Sequence, residues 1–323
     1  MGNGLLKELS IADSKIQYDT QCKRVLSQKE ILAWIMKRTV KEFWDMVIPD
    51  IIPCIEGTPE VSEVGVDSGQ TNTESGTERI SGAATEDKVQ GEGTVYYDIR
   101  FYAYAPSHKE YIKLILNVEA QKSFRPGYEI VTRGIYYAAR MISAQLGTEF
   151  THSHYDDIKK VYSIWLGFNA PDKIGNAISE YSMQKRDLIA GLPDLPTAYD
   201  KISVVVVALN EKQDSEDQFV NLMNTLFSIN KSYSEKKEKL EKDFDIKMND
   251  RFRKELDLMC NLSGLVEEKG IGQGIEQGIE QATKNIVMGL LRLGTVKEED
   301  IKKAAQISQS QLDEIKKELA ELK

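Results

Sequence analysis

Two acidic residues stand on neighbouring β-rich stretches at spacings that would bring them together. In 94–104 (TVYYDIRFYAY) strand alternation puts Val95, Tyr97, Ile99 and Phe101 on one face and Tyr96, Asp98, Arg100 and Tyr102 on the other. In 111–121 (YIKLILNVEAQ) Leu114, Leu116, Val118 and Ala120 share one face, and Ile115, Asn117, Glu119 and Gln121 the other. The turn between them, 105–110 with Pro106, makes a hairpin the simplest reading. Asp98 and Glu119 then share a sheet face, with Gln121 two residues on. Their carboxylate oxygens suit a hard divalent cation such as Mg²⁺, with water and a phosphate oxygen completing its shell. Such an ion acts as a Lewis acid and lowers the pKa of an attacking water. The plainer reading is that charges on an amphipathic strand face solvent. Glu119 stands out because Leu114, Ile115, Leu116 and Val118 precede it, and a carboxylate in an apolar strand is rarely buried unless paired or metal-bound.

The elements that must position this pair are legible in part. Residues 1–24 are polar and read as only partly ordered. Ser27, with Glu30 three residues later, has capping-box spacing. A helical stripe follows through Leu32, Met36, Val40, Phe43 and Val47, closed by Pro49 and Pro53. Residues 58–93 are rich in Gly, Ser, Thr and Glu and read as a long polar loop, with one weak strand near 79–83. After the hairpin, 128–146 is helical, with Ile130, Ile135, Ala138 and Ile142 toward a core. Residues 161–168 form a strand, 202–209 (ISVVVVAL) a strand buried on both faces, and 216–229 a helix.

The C-terminal third changes character. Residues 231–257 hold 9 Lys/Arg and 8 Asp/Glu, a solvated helix with a thin apolar seam of Leu240, Phe244, Met248 and Phe252. Three Gly-Ile-x-Gln tetrads start at Gly270, Gly274 and Gly278. Glycine costs a helix about 1 kcal/mol per site, so the tetrads read either as a closely packed, self-associating helix or as a flexible linker. Two short helices end the chain, 283–293 and 297–322, the second broken near 307–309. The organisation is thus a core over 1–230, a charged helix over 231–262, the repeat over 263–282 and a small helical tail over 283–323.

Composition narrows the class. The 323 residues carry 42 Lys/Arg against 51 Asp/Glu, a net charge of −9. Nucleic acid would therefore be met by a local basic patch, not a uniformly basic surface. Three scattered cysteines exclude a disulfide scaffold and a Cys-based zinc cluster, and fit a cytoplasmic protein. No apolar run approaches the roughly 20 residues of a membrane span. His152 and His154 have no further His or Cys nearby in sequence and read as a surface loop.

The residues Gly91-Glu-Gly-Thr-Val-Tyr-Tyr-Asp98, Asn117-Val-Glu-Ala-Gln121, Tyr128 to Tyr137, Val161-Tyr-Ser-Ile-Trp165 and the Gly-Ile-Glu-Gln repeats, in this order, resemble the PD-(D/E)XK nuclease superfamily. More narrowly, the chain is similar to the recombination-promoting nuclease/putative transposase group, over about residues 20–290. The resemblance implies an α/β fold with an α-β-β-β-α-β core, a mixed central sheet flanked by helices, and a C-terminal helical extension. It implies Mg²⁺-dependent cleavage of double-stranded DNA, with Mn²⁺ as a substitute. Asp98 and Glu119 would hold the metal and Gln121 would help position water or phosphate. Glu42, preferred over Glu30 because it lies at the edge of the apolar stripe, would add the first helix's acid.

Gln121 stands where the superfamily more often has lysine; it can hydrogen-bond but supplies no charge. Lys122 and Arg125 could form part of a phosphate-facing patch. Arg133 and Tyr137, one helical turn apart, would either contact phosphate or stabilise helix–sheet packing. A homodimer through the C-terminal helical region is the expected assembly. The rival expectation is a nuclease-fold protein with weakened catalysis that binds DNA or assembles with itself.

Overall fold

The computed structural model describes residues 16–61, 86–89, 93–107, 111–293 and 296–321; within the long helix, the side chains of 264–280 are not described. The expected weak strand at 79–83 lies outside the described residues. Contacts divide the chain into two units, 1–263 and 264–323.

The first unit is an α/β layer structure around a six-stranded mixed sheet, ordered β1-β4-β5-β6-β8-β7. The strands are β1 (Glu60–Val61), β4 (Ile99–Ala105), β5 (Ile112–Gln121), β6 (Lys160–Gly167), β7 (Ala177–Ser182) and β8 (Ile202–Ala208). β4 and β5 form the expected antiparallel hairpin, with Ile99 opposite Val118 and Ala105 opposite Ile112. β6 runs parallel to β5, β8 parallel to β6, and the edge strand β7 antiparallel to β8. A separate ribbon pairs β2 (Glu86–Val89) with β3 (Gly93–Tyr96), so the polar stretch 58–93 is not all loop.

One face of the sheet carries the larger core. Ile99, Phe101, Leu114, Leu116, Val118, Tyr162 and Ile164 pack there with Leu32, Ile35 and Met36 of α2 (Lys29–Thr39), and with residues of α6 (Gln218–Phe227), α7 (Tyr233–Lys242) and the start of α8 (Asp250–Leu293). Leu240, Met248 and Phe252 of the expected thin seam are buried in this core, and Phe244 packs against it. The charged segment is thus part of the first unit, and it is two helices separated near 243–249. The other face is covered by α4 (Ile130–Ser143), whose Tyr137, Ala138 and Met141 meet Val161, Trp165 and Val204.

Four local expectations are corrected. Residues 16–26 form a helix, α1, with Cys22, Val25 and Leu26 buried in the larger core. Ser27 does not cap α2: its hydroxyl donates to the Arg24 carbonyl, and the cap position is Gln28, whose side chain makes no capping bond and donates to the same carbonyl. In α4 Ile130 and Ala138 are buried in the core and Ile142 packs against it as expected, but Ile135 is exposed and Gly134, Tyr137 and Met141 complete the buried face. The 94–104 alternation breaks at Tyr97–Asp98, between β3 and β4. Val95 and Tyr97 pack under α4, whereas Ile99 and Phe101 pack on the opposite face.

In the second unit α8 continues through the Gly-Ile-Glu-Gln tetrads to Leu293, so this segment is helix and not linker. Val287 packs with Ile301 of α9 (Glu298–Ala305) and with Leu312 and Ile315 of α10 (Gln309–Glu321). The break between α9 and α10 falls where the sequence places it, with Gln306 in the left-handed region at φ 53°. No described helix is long and apolar enough to cross a membrane.

Candidate active site

The break that upsets the alternation is what makes the site. Asp98 sits in the bend just before β4, and Glu119 lies near the end of β5. The Asp98 backbone N–H donates to Glu119 Oε1 at 3.0 Å. The backbone N–H of Ala120 donates to Asp98 Oδ2, also at 3.0 Å. Asn117 Nδ2 gives Glu119 Oε1 a second bond at 2.9 Å. Both acids are buried, Asp98 at 9% exposure and Glu119 at 4%.

A third acid and a cation arrive from α1. Lys23 Nζ lies 2.9 Å from Asp98 Oδ1 and 2.9 Å from Asp19 Oδ2. Lys23 is itself buried. The i, i+4 spacing of Asp19 and Lys23 puts them on one side of the helix, while Cys22, Val25 and Leu26 anchor it in the core. Burial opposes a charged Lys23, but Asp98 and Asp19 overcome it and hold the ammonium above its usual range. Burial lifts the Asp19 carboxyl, with Lys23 opposing. Burial lifts the Glu119 carboxyl well above the ordinary carboxylate range and the Asp98 charge adds to it; the Asp98 amide, Arg133 and Asn117 pull the other way.

α4 supplies the wall. Arg133 donates to the Tyr128 hydroxyl, and to the Tyr137 hydroxyl at 2.7 Å. Its guanidinium lies over the Tyr137 and Trp165 rings, 5.1 and 5.4 Å from their centroids. Tyr137 in turn meets Tyr97 and Trp165 edge-on, at 5.4 and 5.2 Å. α4 can lie this close because residue 134 is glycine. A Cβ there would come within 2.5 Å of Val204 Cγ1 and 2.9 Å of Trp165 Nε1.

Of the residues singled out in the sequence, Asp98, Glu119, Arg133 and Tyr137 are brought together. Gln121, half-buried, ends β5 on the same face as Glu119, and its carbonyl accepts the Phe168 amide at 2.9 Å. Lys122 and Arg125 are exposed just beyond the strand. Arg133 and Tyr137 lie against Trp165 of β6, and Tyr137 also against Tyr97. His152 and His154 are exposed.

Glu42 does not join the site. It lies in a 3-10 turn (Lys41–Phe43) after α2 and accepts a 2.6 Å bond from the Tyr162 hydroxyl. Its other oxygen is 3.4 Å from Lys160 Nζ. Glu119 pairs in register with Trp165, five residues from Lys160. Glu42 is therefore tied to β6 residues three and five positions before Trp165, and Tyr162 belongs to the core on the opposite face of the sheet.

The residues missed were Asp19 and Lys23. A signal was present: Tyr18, Cys22, Val25 and Leu26 recur at i, i+4, i+7 and i+8, an amphipathic helix in a stretch dismissed as polar.

The donors fit a hard divalent cation in kind, both being carboxylates. Among the described residues no three His, Cys, Asp or Glu side chains gather closely enough to hold one. The place of converging negative charge is taken by the Lys23 ammonium. No family model matches this chain, and neither a curated protein nor a solved structure matches it significantly.

Proposed function

We propose that the chain is a Mg²⁺-dependent DNA endonuclease of recombination or transposition type, built on a PD-(D/E)XK-like core. The observation that carries this reading is the reciprocal pairing of Asp98 and Glu119 through backbone amides, at the mouth of the β4–β5 hairpin. The order of elements supports it: α2, then β1, β4 and β5, then α4, then β6 parallel to β5, an α-β-β-β-α-β run. Asp98 and Glu119 would hold the cation, which supplies Lewis acidity and a more acidic bound water. Arg133 is near enough for its charge to act on Glu119, and its guanidinium would meet a phosphate there, with Lys122 and Arg125 on the exposed approach to double-stranded DNA.

The test is nicking of supercoiled plasmid with Mg²⁺ or Mn²⁺, by the parent and by Asp98→Ala and Glu119→Ala, beside calorimetric titration of the ions into the same proteins. Nicking and ion binding by the parent, lost in both variants, is the expected result. Equal cleavage by parent and variants sinks the assignment. A second reading is favoured by the Lys23–Asp98 pair together with Gln121: a nuclease-fold protein that binds DNA without cutting it. It gives DNA retardation in gels with no metal-dependent nicking.

A further inference from the structure

We propose that Lys23 is the resident counter-ion of Asp98, and that a divalent cation reaches Asp98 only by displacing the Lys23 ammonium. The inference rests on the metal-dependent reading above and adds a competition that reading does not contain. Each oxygen of Asp98 already has a partner: Oδ2 takes the Ala120 amide and Oδ1 takes Lys23. The amide is fixed by β5, whereas the ammonium sits on a flexible four-carbon stem. Oδ1 is therefore the oxygen whose partner can be exchanged, and a cation on Asp98 would stand beside the ammonium in a low-dielectric setting, where like charges repel strongly.

Lys23 has somewhere to go. Its second partner, Asp19, is one helical turn back and 2.9 Å away. The Asp19 side chain is 37% exposed against 12% for Asp98, so the outward side of the ion trio is Asp19. α1 need not move, because Cys22, Val25 and Leu26 stay buried in the core. The ammonium swings toward Asp19 and solvent while the helix stays seated. Without a cation, the same ammonium compensates the buried Asp98 carboxylate and ties it to Asp19. Lys23 is thus a positioning residue for Asp98 and the element that makes cation uptake selective for ions able to outbid a lysine.

The test is titration of Mn²⁺ and Mg²⁺ into the parent, Lys23→Met and Lys23→Met/Asp98→Asn, with melting followed with and without ion. Methionine keeps the stem and removes the charge. The expected result is ion affinity at least tenfold tighter in Lys23→Met than in the parent, and lost in the double variant. Lys23→Met should also melt lower than the parent without ion and recover on adding it. If the parent binds ion through Asp98 and Lys23→Met binds it no more tightly, the competition is wrong while the metal reading stands. If neither protein binds ion, the metal reading fails and takes the competition with it. Should Lys23→Met not fold, the parent alone decides through its lysine ammonium NMR signals. The Lys23 signal, slow to exchange without ion, must broaden or shift at saturating Mg²⁺; an unchanged signal overturns the proposal.

Discussion

Asp98 and Glu119 hold each other through the backbone rather than through their charges: the Asp98 amide binds the Glu119 carboxylate, and the amide following Glu119 binds the Asp98 carboxylate, each at 3.0 Å. Two acids of like sign are thereby kept adjacent with donors between them. This fixes what each substitution does. Glu119→Gln keeps an oxygen that can accept from Asp98 N–H and Asn117 Nδ2 and removes a buried acid, so stability should change by less than about 1 kcal/mol. Glu119→Ala strands both donors and should cost about 2–4 kcal/mol. Urea unfolding of the two variants checks this, and equal losses would contradict the pairing. Both should lose plasmid nicking.

Glu42 is built into a different cluster, and its substitution should separate stability from activity. Lys160 Nζ lies 2.8 Å from Asp200 Oδ2 and 3.4 Å from Glu42, and the Tyr162 hydroxyl donates to Glu42 at 2.6 Å. Tyr162→Phe removes a bond to a charged acceptor and should cost about 1.5–3 kcal/mol. Glu42→Gln keeps an acceptor for Tyr162 and should leave ion binding and nicking at the parent's level. Loss of nicking in Glu42→Gln, with its melting temperature unchanged, would return Glu42 to the candidate site.

The sheet and its acid pair were legible because strand signals were strong. Period-two alternation fixed the faces of β5, and the apolar run of β8 marked it as interior. The break at Tyr97–Asp98 was not legible, because two β-prone segments in direct succession give no punctuation such as Gly or Pro. α1 was overlooked because its charges, Asp19, Lys23 and Arg24, dilute the apolar positions between them; those charges serve the site and an ion pair with Glu255, not solvent alone. β7 (AISEYS) escaped because an exposed edge strand has no apolar alternation to show. Glu42 was misplaced for a related reason: helical spacing was carried past Thr39, where the helix ends and a 3-10 turn redirects the side chain.

Alkali should unfold this protein earlier than its acid groups suggest. Burial raises the Cys22 thiol from 9.0 to about 12 and lifts the Tyr18, Tyr137 and Tyr162 hydroxyls above their usual range. Above pH 9 to 10 the unfolded chain releases these protons while the native chain keeps them. The native state then binds more protons, and stability falls as pH rises toward the folded pKa values. Each group contributes about 1.4 kcal/mol per pH unit within its window. Lys236, whose ammonium burial depresses, works the opposite way up to about its ordinary pKa of 10.5. Urea midpoints measured from pH 8 to 11 should fall with increasing slope, and Cys22→Ala should remove one group's share. A flat profile through pH 10.5 would contradict the burial of these groups. On the same grounds iodoacetamide should label partly exposed Cys54 well before buried Cys22.

Gly134 sets the distance between α4 and the sheet, and through it the position of Arg133 and Tyr137 on either flank. A methyl group there would stand 2.5 Å from Val204 Cγ1 and 2.9 Å from Trp165 Nε1. Neither neighbour yields easily. Val204 is on a central strand, and Trp165 Nε1 is held by a 2.8 Å bond to Ser163 Oγ with the indole fully buried. Alanine's better helix propensity returns about 1 kcal/mol, whereas overpacking costs about 1–3 kcal/mol. The net change in Gly134→Ala should be a modest loss, and helicity by circular dichroism should hold. Its larger effect should fall on the site, because α4 must retreat and carry Arg133 off Trp165. The expected signature is a fluorescence change at Trp165, read against a Trp34→Phe, Trp44→Phe background, together with DNA binding weakened more than melting temperature. If Gly134→Ala binds DNA and emits like the parent, the close approach of α4 does not position Arg133, and the guanidinium is held by its tyrosine partners alone.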